Sequence, residues 1–101
     1  MLIPALLLLT EAVSFPSDYP TVALHRGLEG TTHVEVDINE KGGVIDCRVL
    51  KSSGHEILDK ATCKSVTKRA KFAPAVGPDG KPTKSTIKVP PVEWRIPVSS
   101  L

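Results

Sequence analysis

The stretch THVEVDIN, from Thr32 to Asn39, alternates apolar and polar residues without a break. Val34, Val36 and Ile38 fall on one side and His33, Glu35 and Asp37 on the other. A period of two is the mark of a strand with one buried face, because successive side chains leave a strand on opposite sides. Glu40-Lys41-Gly42-Gly43 then supplies turn chemistry. VIDCRVL resumes the alternation, with Ile45, Cys47 and Val49 on one face and Asp46 and Arg48 on the other. The two runs predict a β-hairpin whose apolar face needs a second layer to cover it.

That cover follows in the chain. Ser52-Ser53-Gly54 ends the alternation, and from Ile57 to Phe72 the spacing turns helical, gathering Leu58, Thr62, Val66, Arg69 and Ala70 near one side. Ser53 and Glu56 have the spacing of a capping box, in which each side chain satisfies a free backbone N–H at the helix start. Lys64, Lys68, Arg69 and Lys71 crowd the second half, where positive charge suits the helix dipole, and read as a solvated face. Pro74 stops the helix, and Val76 to Pro82 reads as a mobile surface loop.

The last apolar run, STIKVPPVEWRIP, switches parity. Ile87 and Val89 share one face, whereas Val92, Trp94 and Ile96 share the other. A bulge or break at Pro90-Pro91 accounts for the switch and predicts an edge strand, since proline cannot donate to a ladder. The order is therefore β-β-α-β. The fold class is α+β: a two-layer sandwich of a three-stranded antiparallel-type sheet against one main helix, with a short N-terminal helix before the first strand. A chain of 101 residues can bury one such core.

Composition removes several classes of function. Thirteen basic and eleven acidic residues are interspersed, for a net charge of +2, so no large field points at a polyanion. One Trp, one Tyr and two Phe are too few for a stacking platform, and no nucleic-acid partner is expected. The apolar run from Leu2 to Leu9 is well short of the roughly 20 residues of a membrane-spanning helix. Ala12-Val13-Ser14 places small residues as a signal-peptidase site prefers, although no Lys or Arg precedes the run. Residues 1–17 are thus read as a signal peptide or the remnant of a membrane anchor, and 18–101 as the domain.

The most reactive-looking stretch is SSGHEILDKATC, Ser52 to Cys63. A hydrolase would need Ser52 or Ser53, His55 and Asp59 to converge, but Gly54 has no nucleophile-elbow pattern around it. A zinc site would take Cys47, Cys63 and one or two of His25, His33 and His55, yet neither cysteine belongs to a C-x-x-C pair. A disulfide explains the cysteines better, because Cys47 faces the helix layer and Cys63 lies about two turns into that helix. It would close a loop of about 15 residues, worth about 3 kcal/mol, and would need an oxidising compartment. No catalytic residue, metal or cofactor is expected.

An ordered series of short motifs resembles the TonB C-terminal domain family. It comprises Asp18-Tyr19-Pro20, Ala23-Leu24, Gly27, Gly30, the alternating strand, Gly43-Val44 to Val49, and Ser52-Ser53-Gly54. Leu58-Asp59, Phe72 with Pro74-Ala75, Asp79-Gly80-Lys81-Pro82 and the closing Val92 to Ile96 complete it. Cys47 and Cys63 look like the paired cysteines of one subgroup. The resemblance implies a non-enzymatic periplasmic domain of an energy transducer. Such a domain grips TonB-dependent outer-membrane receptors to drive import of siderophores, cobalamin or other nutrients. The receptor's TonB-box peptide would add as a strand to the edge Val92, Glu93, Trp94, Arg95 and Ile96, with Tyr19 and Pro20 near the receptor. By parity Trp94 reads as core and Glu93 and Arg95 as the outward pair. Inner-membrane proton-driven motor proteins would be reached through an anchor not evident in this chain, which would be inner-membrane-anchored if its N-terminus is incomplete. The alternative is a free-standing periplasmic or secreted interaction module, binding cell-wall material through its Lys-rich helix.

Overall fold

A computed structural model describes residues 12–97, so the apolar run before Ala12 lies outside the described residues. The alternating stretch forms the central strand β1, Gly30–Ile38, with Thr32, Val34, Val36 and Ile38 buried on one side. Strand β2, Val44–Lys51, pairs with it antiparallel. The turn between them is closed by Asn39, whose Oδ1 accepts from the backbone N–H of Lys41 and of Gly43, each at 2.9 Å. Gly42 has a φ of 85°, and an added Cβ would lie 1.9 Å from the carbonyl oxygen of Phe72. Only glycine allows that approach, which lets the Phe72 N–H bond the Gly42 carbonyl at 3.1 Å and ties the chain after the main helix to the hairpin.

The face assignment of β2 needs a correction. Asp37 opposes Asp46 and Ile38 opposes Val44, so Ile45 is an extra residue; a second irregularity between His33 and Val34 leaves Leu50 unmatched. At each bulge one strand gains a residue and the alternation slips. Val44 takes the place against the core expected of Ile45, which is 55% exposed. Cys47, opposite Val36, keeps its helix-facing position.

Helix α1, Thr21–His25, is the short N-terminal helix, preceded by a 3-10 turn at Pro16–Asp18. The main helix α2, Glu56–Arg69, buries Leu58, Thr62, Ser65 and Val66. It ends three residues before the predicted Phe72: Ala70 is already extended and Phe72 is engaged with Gly42. Arg69, expected on the packed side, is instead an exposed ion-pair partner of Asp18. The capping box does not form either. His55 occupies the N-cap position without a side-chain cap, Ser53 Oγ donates to Asp59, and Glu56 reaches Lys60 at 3.8 Å.

The stretch read as a loop folds into a small hairpin of β3, Ala75–Val76, and β4, Pro82–Thr83, closed by Gly77 N–H on the Lys81 carbonyl at 2.8 Å. The last run then lies along the free side of β1 in two pieces. Strand β5, Ser85–Lys88, pairs with residues 35–38, and β6, Val92–Trp94, pairs with residues 30–32. From Lys88 to Val92 is four steps, whereas their partners Glu35 and Thr32 are three steps apart. One extra residue sits at Pro90-Pro91 and turns Val92 and Trp94 inward, as the parity switch predicted. The sheet order is β2-β1-β5/β6, with α2 across one face: the α+β two-layer fold. The disulfide Cys47–Cys63 joins β2 to α2 across a Cα–Cα distance of 5.7 Å.

Candidate functional site

The candidate site is the outer edge of β6. Val92 and Trp94 are 0% and 1% exposed, so their side chains anchor the strand and recognise nothing outside it. The Trp94 ring meets Tyr19 edge to face with centroids 5.3 Å apart, and its Nε1–H donates to Thr62 Oγ1 at 2.8 Å. The Thr62 hydroxyl in turn donates to the Leu58 carbonyl at 2.8 Å, so an otherwise costly pair of buried polar groups is satisfied in series. Tyr19 is buried as well and donates its hydroxyl to the Leu28 carbonyl. Its burial, with the nearby Glu29 carboxylate, raises the phenol pKa and keeps the hydroxyl a donor. Pro20 caps the start of α1. Tyr19 therefore supports β6 from within, while Pro20 is half-buried at the start of α1.

Glu93 and Arg95 point outward, as parity predicted, Glu93 half-buried and Arg95 exposed. Ile96 lies beyond the strand, packed against the core, with its N–H on Glu29 Oε2 at 2.8 Å. In a strand the backbone groups of alternate residues face opposite neighbours, so where Val92 and Trp94 turn toward β1 the N–H of Glu93 and the C=O of Pro91 turn away. Both outward groups are engaged by Val13. The Glu93 N–H donates to the Val13 carbonyl at 2.8 Å, and the Val13 N–H donates to the Pro91 carbonyl at 2.8 Å, forming a parallel bridge between Val13 and Val92. Beyond that bridge the two segments diverge around a cleft of about 160 Å³, lined by Ser14, Phe15, Pro16, Tyr19, Glu93, Trp94 and Arg95. Val13 was missed in the sequence because one isolated bridge has no periodicity to reveal it.

Around this edge the charges are structural. Arg69 grips Asp18 with Nε and one terminal nitrogen, at 2.5 and 2.6 Å, tying the 3-10 turn to the end of α2. The Arg69 guanidinium, helped by Ser65, holds the Asp18 carboxyl well below the usual carboxylate range. On the other sheet face Arg48 bridges Glu35, Asp37 and Asp46 at 2.9 to 3.0 Å, and Arg48 with Thr86 depresses Asp37 in the same way.

SSGHEILDKATC is a strand-to-helix joint. Asp59 accepts from Ser52 Oγ, from Ser53 N–H and Oγ at 2.9 and 2.8 Å, and from Thr32 Oγ1 at 3.0 Å. Burial alone would raise the Asp59 pKa, but these donors outweigh it and hold the carboxyl low. His55 enters the joint through its backbone, bonded to Ser53 Oγ.

Fold and edge together define a small disulfide-stapled α+β domain whose last strand pairs on one side with the central strand and on the other with an added segment. The chain belongs to the Gram-negative bacterial TonB protein C-terminal family, which it matches over residues 16–96. It is 45% identical over 58 residues to the protein tonB2 of Pseudomonas aeruginosa, covering 57% of this chain and 21% of that protein. With the protein TonB of Vibrio cholerae the identity is 38% over 72 residues, 71% of this chain and 29% of that one. The NMR solution structure of the Helicobacter pylori TonB-CTD superimposes with a TM-score of 0.56 at 32% identity, over 77% of this chain and 78% of that one. The chain thus spans less than a third of the length of these curated relatives. Among the described residues no helix is long and apolar enough to cross a membrane.

Proposed function

We propose that this domain docks on the TonB box of TonB-dependent outer-membrane receptors by strand addition to β6, as the receptor-binding end of a periplasmic energy transducer for nutrient import. The observation that carries this reading is the Val13 bridge: the outward N–H of Glu93 and C=O of Pro91 already hold a strand segment in good geometry. Main-chain bonds of that kind supply affinity in β-augmentation, while side chains beside the edge select the partner. Here those would be Glu93 and Arg95, with the cleft next to them receiving a side chain of the incoming strand. Trp94 and Tyr19 keep the edge rigid from behind.

The other parts of the reading follow from it. The disulfide calls for an oxidising compartment, in keeping with the periplasm. Residues 18–101 would form the docking unit and 1–17 the retained end of an anchor toward the proton-driven motor, since Val13 is bonded to β6. The domain itself performs no catalysis in this scheme and holds no cofactor. The test is a titration of the oxidised protein with a synthetic TonB-box peptide, followed by backbone amide shifts. Shifts concentrated on Val92 to Ile96 are expected, and shifts confined to the lysines of α2 would instead favour a module that binds through its basic helix face.

A further inference from the structure

We infer that residues 12–14 act as a built-in cover for the docking edge, a strand that an incoming peptide must displace. The inference rests on the docking reading for its consequence, but the cover itself stands on geometry alone. A single backbone N–H makes one good hydrogen bond, and the Glu93 N–H is spent on the Val13 carbonyl while the Pro91 carbonyl is spent on the Val13 N–H. Pro91 has no N–H of its own, so the edge offers no substitute donor at that position. Any strand paired at Val92 and Glu93 therefore excludes Val13.

The cover is held close and held weakly. It is held close because Phe15 packs against the core and Asp18 is clamped by Arg69, so the segment cannot drift away when the bridge opens. It is held weakly because, among the described residues, a single residue is bridged before the strands part. Two backbone bonds of ordinary net strength leave the edge open about 3% of the time, which raises the apparent dissociation constant of a competing peptide about thirtyfold. The cleft beside Glu93 and Arg95 gives that peptide a place to begin, from which pairing can advance toward Pro91 and peel Val13 away. A short internal competitor of this kind would keep an exposed edge from pairing with the wrong strand, a recurrent hazard of edge strands.

The test compares the full-length oxidised protein with its Val13→Pro variant, which lacks the N–H that bonds Pro91. Val13→Gly serves as a milder second variant, and Val13→Ala, which keeps the backbone groups, as the control. Two quantities are read: the hydrogen-exchange rate of the Glu93 amide, and the affinity for a synthetic TonB-box peptide. The cover predicts Glu93 exchange about fivefold faster in Val13→Pro and peptide affinity about fivefold higher, the loss of one of the two bonds, with Val13→Gly between and Val13→Ala close to the parent. Unchanged Glu93 exchange in both weakened variants overturns the cover. Faster exchange with unchanged affinity overturns its role as a competitor. A peptide that binds none of the proteins contradicts the docking reading instead, and the Glu93 exchange rate then decides the cover by itself.

Discussion

Trp94 is the largest fully buried side chain among the described residues; it fills the core under β6 and also has a polar atom there to satisfy. Thr62 Oγ1 is the acceptor. Thr62→Val should therefore leave the indole N–H buried and unpaired, lowering stability by about 1–3 kcal/mol, to be checked by denaturant unfolding. At the surface, Asp18 gives the fold a pH dependence. Its carboxyl is depressed by Arg69 and Ser65 when folded, so the contribution is complete above the ordinary carboxylate value of about 3.9 and is lost as pH falls below it. Asp37, depressed by Arg48, adds in the same direction. Asp18→Asn should accordingly flatten, without abolishing, the fall in melting temperature between pH 5 and pH 2, and an unchanged slope would contradict the assignment. Parity alone placed Trp94 inside and Glu93 and Arg95 outside. The buried Tyr19 contact with Trp94 joins residues too far apart in the chain for any local pattern to show it.

At the scale of elements, regular alternation and helical spacing carried most of what could be read in advance. The strand at Val34, Val36 and Ile38 and the bulge at Pro90-Pro91 are patterns that backbone geometry enforces directly. The bulges at Ile45 and Leu50 are invisible to alternation, because VIDCRVL fits the same template whether or not the register slips by one. The slip has a measurable consequence: Ile45→Thr should change stability by less than about 0.5 kcal/mol, whereas Ile38→Ala should cost about 2–5 kcal/mol. The capping box failed because Asp59, a turn further along, offers Ser53 a charged acceptor. The hairpin of β3 and β4 was hidden by a run of Pro and Gly that marks turns without saying what lies between them. Replacing both Cys47 and Cys63 with Ser should lower stability under oxidising conditions by about 3 kcal/mol, read as a lower denaturation midpoint.

For the molecule as a whole, the sheet has two long sides, and they are finished differently. The β2 side ends in a bulged strand with Ile45, Val49 and Leu50 exposed, a geometry that twists an edge and discourages pairing. The β6 side, beyond its own extra residue at Pro90-Pro91, already accepts Val13 and is braced from within by Tyr19 and Trp94. The family is shared with TonB proteins, and the proposed function puts a receptor strand on this edge. The most direct test is the affinity of a TonB-box peptide for the oxidised protein against its Arg95→Pro variant, which deletes an outward donor on the same side as Glu93 that Val13 does not use and leaves the core side chains in place. The account predicts a loss of affinity of about two- to tenfold with the melting temperature little changed. Equal affinity for the two proteins would contradict it.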